Sequence, residues 1–301
     1  MFDGIINVYK EKGYTSHDVV AKMRGILKMK KIGHTGTLDP DAEGVLPVCV
    51  GKATKLVDLI TDKDKTYLAE CKLGVTTDTQ DLTGTVIKTS EVNTNLSELA
   101  SVINSYIGEY LQLPPMYSAI KVDGKKLYEL ARQGKEIERE RRRVIIRDIR
   151  LLNYNETEQE FTVLVECGKG TYIRTLLHDI GESLGCGATM KSLIRTRVGA
   201  FSLEEAKKLS EIEELVREDK LQSHIVTIEE MFSHYSKLIV VSEYHKLIYN
   251  GNLFTTEHIL PMKLEDLTDT VRVYDSEEHF IGLYSYHRED GLFKPKKMFL
   301  Q

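Results

Sequence analysis

An aspartate followed by proline inside a glycine-rich loop is the first place in this chain where residue type and spacing suggest chemistry. The string GHTGTLDPDAEGVLP, residues 33–47, holds three glycines, two prolines and, near its middle, Asp39. Pro40 biases Asp39 toward an extended backbone and so limits the angle of its carboxylate. A carboxylate held in this way can act as nucleophile or base, and the same residues can instead form an Asx-turn that only shapes the chain. His34 lies in the same loop, Tyr67 in KTYLAECKLG, and Tyr172 and Arg174 in GKGTYIR. A guanidinium keeps its charge at working pH and its planar fork suits a carboxylate. A tyrosine face stacks on an aromatic ring without demanding a hydrogen-bond pattern. Each of these also has a structural reading: a loop histidine bonded to backbone, a core aromatic on a strand, an ion pair at a helix start.

The elements that must position these residues follow from local patterns. Thr15, with Asp18 three residues on, has the form of a capping box, and Val19, Val20, Met23, Ile26 and Leu27 keep helical spacing after it. Gly33 and Gly36 are expected to end that helix in a loop. VLPVCVG reads as a buried strand. In KTYLAECKLG, Tyr67, Ala69, Cys71 and Leu73 share one face of a strand. Asn95 is expected to cap a helix whose apolar stripe is Leu96, Leu99, Val102, Ile103, Tyr106 and Ile107. Pro114 and Pro115 break any helix there; a short helix around Lys126–Gln133 and an arginine-rich run follow. FTVLVEC is a strand, GKGTY a turn, and IRTLLHDIGESLG a helix closed by Gly185. Strands and helices mix without strict alternation, which predicts an α+β fold. Beyond about residue 235, KLIVV, TVRVYD and HFIGLYSY predict a small β-rich module.

Bulk composition narrows the function classes. The 301 residues are 41% hydrophobic and 29% charged, ordinary for a globular chain. No apolar run reaches the roughly 20 residues needed to span a bilayer, and the N-terminus lacks a secretory pattern. Cys49, Cys71, Cys167 and Cys186 form no C-x-x-C pair, so neither a disulfide framework nor a zinc site is expected, and a cytoplasmic location fits. The net charge of −5 argues against nucleic acid, but its distribution argues for it. Lys22, Arg24, Lys28, Lys30 and Lys31 form one basic cluster, Arg139, Arg141, Arg142, Arg143 and Arg147 a second, and Lys191, Arg195 and Arg197 a third. The acids gather elsewhere, in Glu204, Glu205, Glu211, Glu213, Glu214, Glu218 and Asp219. Segregation of this kind can present a basic face to phosphates, or simply give solvated surfaces.

Read together, the strings carry a family likeness. HTGTLDPDAEGVLP closely resembles the catalytic motif of TruB-type tRNA pseudouridine synthases. GKATKLVDLI, DKTY, GVTTDTQDLTG, LPPMYSAIKVDGKKLYELARQG, GKGTYIRTLLHDIGESLG and SLIRTRVGAF match the same family in order. The resemblance spans roughly residues 3–235. It implies a pseudouridine synthase fold, a mixed and mostly antiparallel sheet flanked by helices, over residues 1–235, with a PUA-like RNA-binding domain over 236–301. It implies that Asp39 is the catalytic aspartate, Arg174 its partner, and Tyr67 the ring that stacks on the target base. Tyr172 and Leu193 would line the base pocket and His34 would support flipped-out nucleotides. Lys22, Lys31 and Arg195 would meet the RNA from the basic segments Lys22–Lys31, Lys121–Arg147 and Lys191–Arg197. One departure is Ile194, where many relatives carry a second arginine beside Arg195.

The implied reaction breaks the N1–C1′ bond of a uridine, turns the uracil and rejoins it through C5. It is redox-neutral, so no nicotinamide, nucleotide triphosphate or metal is called for. GKATK and GKGTY accordingly lack the P-loop frame. The resemblance makes the substrate uridine 55 of the tRNA TΨC loop, with no obligate protein partner and no membrane. Attack at C1′, attack at C6 and removal of a ribose proton all remain open for Asp39. Two rival readings are a tRNA-binding or tRNA-folding protein of the same fold with little catalysis, and a hydrolase using His34 and Asp39.

Overall fold

In the computed structural model, which describes residues 2–122 and 124–300, the chain divides into two compact units. Met1, Gln301 and Asp123, the last within the LPPMYSAIKVDGKKLYELARQG segment, lie outside the described residues.

The larger unit runs from Asn7 to Leu221, without residues 50–55. Its frame is a sheet of β1 (Gly4–Lys10), β2 (Glu43–Val50), β3 (Lys65–Leu73), β4 (Gly108–Gln112), β5 (Arg142–Asn155), β6 (Glu160–Cys167) and β7 (Ala188–Val198), in the order β1-β2-β7-β3-β6-β5-β4. The β7–β2 pair is parallel, while β7–β3, β3–β6, β6–β5 and β5–β4 are antiparallel. The expected mixed, mostly antiparallel sheet is therefore present. β3 alternates as anticipated: Tyr67, Ala69, Cys71 and Leu73 are all buried and enter one apolar cluster. Against it pack Leu99 and Ile103 of α2 (Leu96–Ser105) and Ile173, Leu176, Leu177 and Ile180 of α3 (Ile173–Ser183).

α1 (Ser16–Leu27) begins at the anticipated capping box: Thr15 Oγ1 accepts from the Asp18 amide at 3.0 Å, and Asp18 accepts from the Thr15 amide at 2.8 Å. Its end departs from expectation. Lys28, in a left-handed conformation at φ 51°, stops the helix, and Gly33 sits in a short strand, Ile32–His34. A non-glycine residue took the place in which glycine was sought. Leu96 at the start of α2 and Ile107 beyond its end are exposed, so the buried stripe is narrower than the sequence stripe. The short helix after the prolines covers only Leu127–Ala131. The arginine run does not form one basic face either: Arg142 and Arg143 open strand β5, where alternation buries Val144 and Ile146 on either side of the half-buried Ile145.

The smaller unit comprises the residues up to Ile6, residues 50–55 and everything from Gln222 on. Its sheet contains β8 (Ser236–Ile239), β9 (Phe254–Thr255), β10 (Thr270–Tyr274), β11 (Phe280–His287) and β12 (Leu292–Met298), in the order β8-β10-β11-β12-β9. β8, β10 and β11 were anticipated, whereas β12 carries Pro295 and a lysine-rich outer edge that masks its strand character. Within this unit Ile5 and Ile6 pair with Val226 and Ile225, and Phe232 packs near Phe299, so residues 222–235 share its contacts.

Candidate active site

The loop carrying Asp39 is tied down from both sides. Ser16 Oγ, at the start of α1, accepts from the Leu38 amide at 2.9 Å. The fully buried Lys10 donates through Nζ to the carbonyls of Pro40 (3.0 Å) and Ala42 (2.6 Å). Burial lowers the Lys10 ammonium to about 8. Thr35 donates through Oγ1 to Pro47 O at 3.1 Å, closing the base of the loop. Gly44, at φ 104°, lies so near the Arg195 backbone that a Cβ there would clash. The loop's glycines thus include one that lets β2 pair closely with β7.

Arg174, 4% exposed, reaches from the first turn of α3 and grips Asp39 with two prongs. Nε lies 2.9 Å from Asp39 Oδ2, and Nη2 donates to Oδ1 at 3.2 Å. The remaining donors are also engaged: Nη2 to Tyr117 O at 2.8 Å and Nη1 to Thr79 O at 2.9 Å, with Asp81 Oδ2 3.7 Å from Nη1. Removal from water pushes the Asp39 carboxyl above its ordinary value; Arg174 opposes that rise and Asp81 adds to it. About 39% of the Asp39 side chain stays open to solvent, so the carboxylate is enclosed but reachable.

The surrounding walls are apolar and aromatic. Leu38, Ala42, Tyr67 and Leu193 belong to one buried cluster. Tyr67 stands on β3 between Val165 of β6 and Arg195 of β7, and burial raises its phenol. Tyr172 is half-buried at the N-cap of α3. Its backbone is gripped by Gln112, whose Oε1 accepts from Tyr172 N at 2.8 Å and whose Nε2 donates to Tyr172 O at 3.0 Å. The His34 ring meets His17 edge to face with centroids 5.1 Å apart, and its buried Nδ1 has no hydrogen-bond partner among the described residues. Burial, chiefly, lowers His34 to about 4, with the Arg195 guanidinium adding to the fall, so it is neutral at working pH.

The basic residues divide sharply. Lys22 and Lys31 are exposed, as are Arg24, Lys28 and Lys30. Arg195 is not on that kind of surface: it is 1% exposed and donates to Val45 O (2.7 Å) and Gly36 O (3.3 Å) behind Tyr67. Strand alternation turns it inward, which corrects the expectation of an RNA-facing arginine. Its companions are paired, Lys191 with Glu160 at 2.6 Å and Arg197 with Glu166 at 2.7 Å. In the second cluster Arg139, Arg143 and Arg147 pair with Glu136, Glu109 and Asp64. Among the described residues no cluster of three or more His, Cys, Asp or Glu side chains could hold a metal ion. Asp81 and Gln112 were missed from sequence; the DTQDLTG turn, dense in Asp and Thr, was the available signal for Asp81.

Comparison with known proteins adds an independent finding. The family model described as TruB family pseudouridylate synthase, N-terminal domain, matches residues 24–173, and that of the tRNA pseudouridylate synthase B C-terminal domain matches 174–233. A tRNA pseudouridine synthase B of Lachnoclostridium phytofermentans is 52% identical, covering 99% of this chain and 100% of the relative. One of Bacillus subtilis is 43% identical, covering 100% and 99%. A chain in the crystal structure of a Cbf5-Nop10-Gar1 complex superposes with a TM-score of 0.72 at 26% identity, covering 99% of this chain and 85% of that one.

Proposed function

The chain belongs to the TruB family of pseudouridine synthases and isomerises uridine to pseudouridine in tRNA; from that premise we propose that Asp39 is the reacting carboxylate and that its target is uridine 55 of the TΨC loop. The observation that carries this reading is the two-pronged grip of Arg174 on Asp39 at 2.9 and 3.2 Å. A carboxylate in an enclosed pocket drifts toward its protonated form, and a paired guanidinium keeps it available as a base or nucleophile.

The target uridine has to leave its stack to reach such a pocket. Tyr67 offers a face for the extruded uracil, Leu193 excludes water, Tyr172 borders the same space, and His34 supports the displaced nucleotides. When the N1–C1′ bond breaks, these walls hold the uracil while it turns. C5 then bonds to C1′, C5 loses its proton and N1 gains one, so atoms and electrons balance without a cofactor. Lys22 and Lys31 meet phosphates, residues 236–301 act as a PUA-like RNA-binding module after a catalytic region at 1–235, and the enzyme works in the cytoplasm.

The test is incubation with unmodified tRNA in the absence of added metal or nucleotide, followed by mapping of pseudouridine and of strand breaks. Pseudouridine at position 55 from the parent, with none from Asp39→Asn, supports the reading. Product at other positions alone, or turnover by Asp39→Asn, overturns it.

A further inference from the structure

We propose that Thr175 and Gln80 are positioning residues, a latch that holds Arg174 in its two-pronged alignment on Asp39. The proposal rests on the catalytic reading of Asp39 and Arg174. Two oxygens beside Arg174, Thr79 O and Asp81 Oδ2, come from one tight turn, and Gln80 is the residue between them. Gln80 sits at φ 63°, a left-handed conformation that a side-chain-bearing residue adopts only under constraint. The constraints are visible. Thr77 Oγ1 donates to Asp81 O at 2.7 Å, Thr79 Oγ1 donates to Asp81 Oδ1 at 2.7 Å, and the Met190 amide donates to Gln80 O at 3.1 Å.

Those bonds shape the turn and tie it to β7, but they do not register it against the helix that carries Arg174. Thr175 does. It follows Arg174 directly, is 1% exposed, and donates through Oγ1 to Gln80 Oε1 at 2.8 Å. The helix thus touches the turn at two adjacent residues, once through the guanidinium and once through this hydroxyl. A guanidinium alone can rotate about its long side chain; a second bond one residue away fixes the spacing between helix and turn. With that spacing set, Nη1 is held by the turn while Nε and Nη2 face Asp39.

Thr175→Val keeps the shape and removes the hydroxyl, Thr175→Ser restores it, and Gln80→Ala removes the acceptor while keeping the same backbone constraint. For each, single-turnover rates at saturating tRNA, dissociation constants for tRNA and melting temperatures would be measured beside the parent and Asp39→Asn. Thr175→Val is expected to slow the bound-state rate about tenfold, with tRNA affinity within about twofold. Thr175→Ser is expected to recover most of the rate, and the Thr175→Val/Gln80→Ala double variant to be no slower than the slower single one. If Thr175→Val does not fold, Gln80→Ala carries the same expectation from the half-buried turn. Rates within twofold of the parent, a loss confined to affinity, no recovery with serine, or multiplying losses in the double variant would each overturn the latch. An inactive parent would instead overturn the catalytic reading on which it stands.

Discussion

The charge state of Asp39 ties activity and stability together at the scale of single residues. Its carboxyl is raised above the ordinary value of 3.8 by removal from water, so the bound-state rate is expected to fall with acid through a pKa higher than 3.8. Asp81→Asn removes a negative neighbour and should move that limb down; a pH profile of single-turnover rates checks both. The sign for stability is the reverse of the usual carboxylate case. A raised folded pKa means that ionisation costs the native state something, fully above the folded pKa and not at all below the unfolded one. Asp39→Asn should therefore melt no lower than the parent at pH 7.5, with any advantage shrinking toward pH 4, while losing product formation and retaining tRNA binding. Arg174→Lys keeps the charge but not the fork, and a misaligned carboxylate should cost on the order of a hundredfold in rate, read at saturating RNA. The strings that carry Asp39, Arg174 and Tyr67 are contiguous and distinctive, and folding brings Asp39 and Arg174 together. Asp81 was not, since its partner Arg174 lies far along the chain and only folding brings them within 3.7 Å.

At the scale of elements, the segments that sequence rendered well are those whose signal is local. The Thr15 capping box, the alternation of β3 and the glycine after α3 each depend on a few neighbouring residues. Helix ends set by a non-glycine cap, such as Lys28, and strands whose outer edge is basic, such as β12, depend on context that no short window contains. The inward turn of Arg195 belongs to the same class: a cluster of basic residues in sequence becomes a pair of faces once it lies on a strand. α3 offers a test of tertiary packing against local propensity. Alanine in place of glycine within a helix normally gains about 1 kcal/mol. At Gly181, however, a Cβ would meet the Gly187–Ala188 backbone and the Ala188 side chain. Gly181→Ala is thus expected to destabilise, by about 1–3 kcal/mol, measurable as a lower midpoint in denaturant.

At the scale of the whole molecule, net charge and local charge separate. A protein of net charge −5 nonetheless exposes Lys22, Arg24, Lys28, Lys30 and Lys31 along α1 and the loop after it. If Lys22 and Lys31 meet phosphates, replacing either by alanine should reduce the slope of log affinity against log salt by about 0.7–0.9 per lost contact; titrations of tRNA at several salt concentrations give that slope. Removing everything after Tyr235 should weaken tRNA binding at least about tenfold and leave chemistry at saturating RNA, because every proposed catalytic group lies upstream. The smaller unit also imposes an order on synthesis. Ile5 and Ile6 leave the ribosome well before their partners, Val226 and Ile225, are made. The larger unit's own residues are all available by Leu221, so it can close around Asp39 while that edge of β1 is still unpaired. Closing a loop of such length is slow relative to forming local contacts. A nascent chain halted shortly after residue 221 has emerged would therefore already resist protease across the larger unit, with its opening strand still open to cleavage.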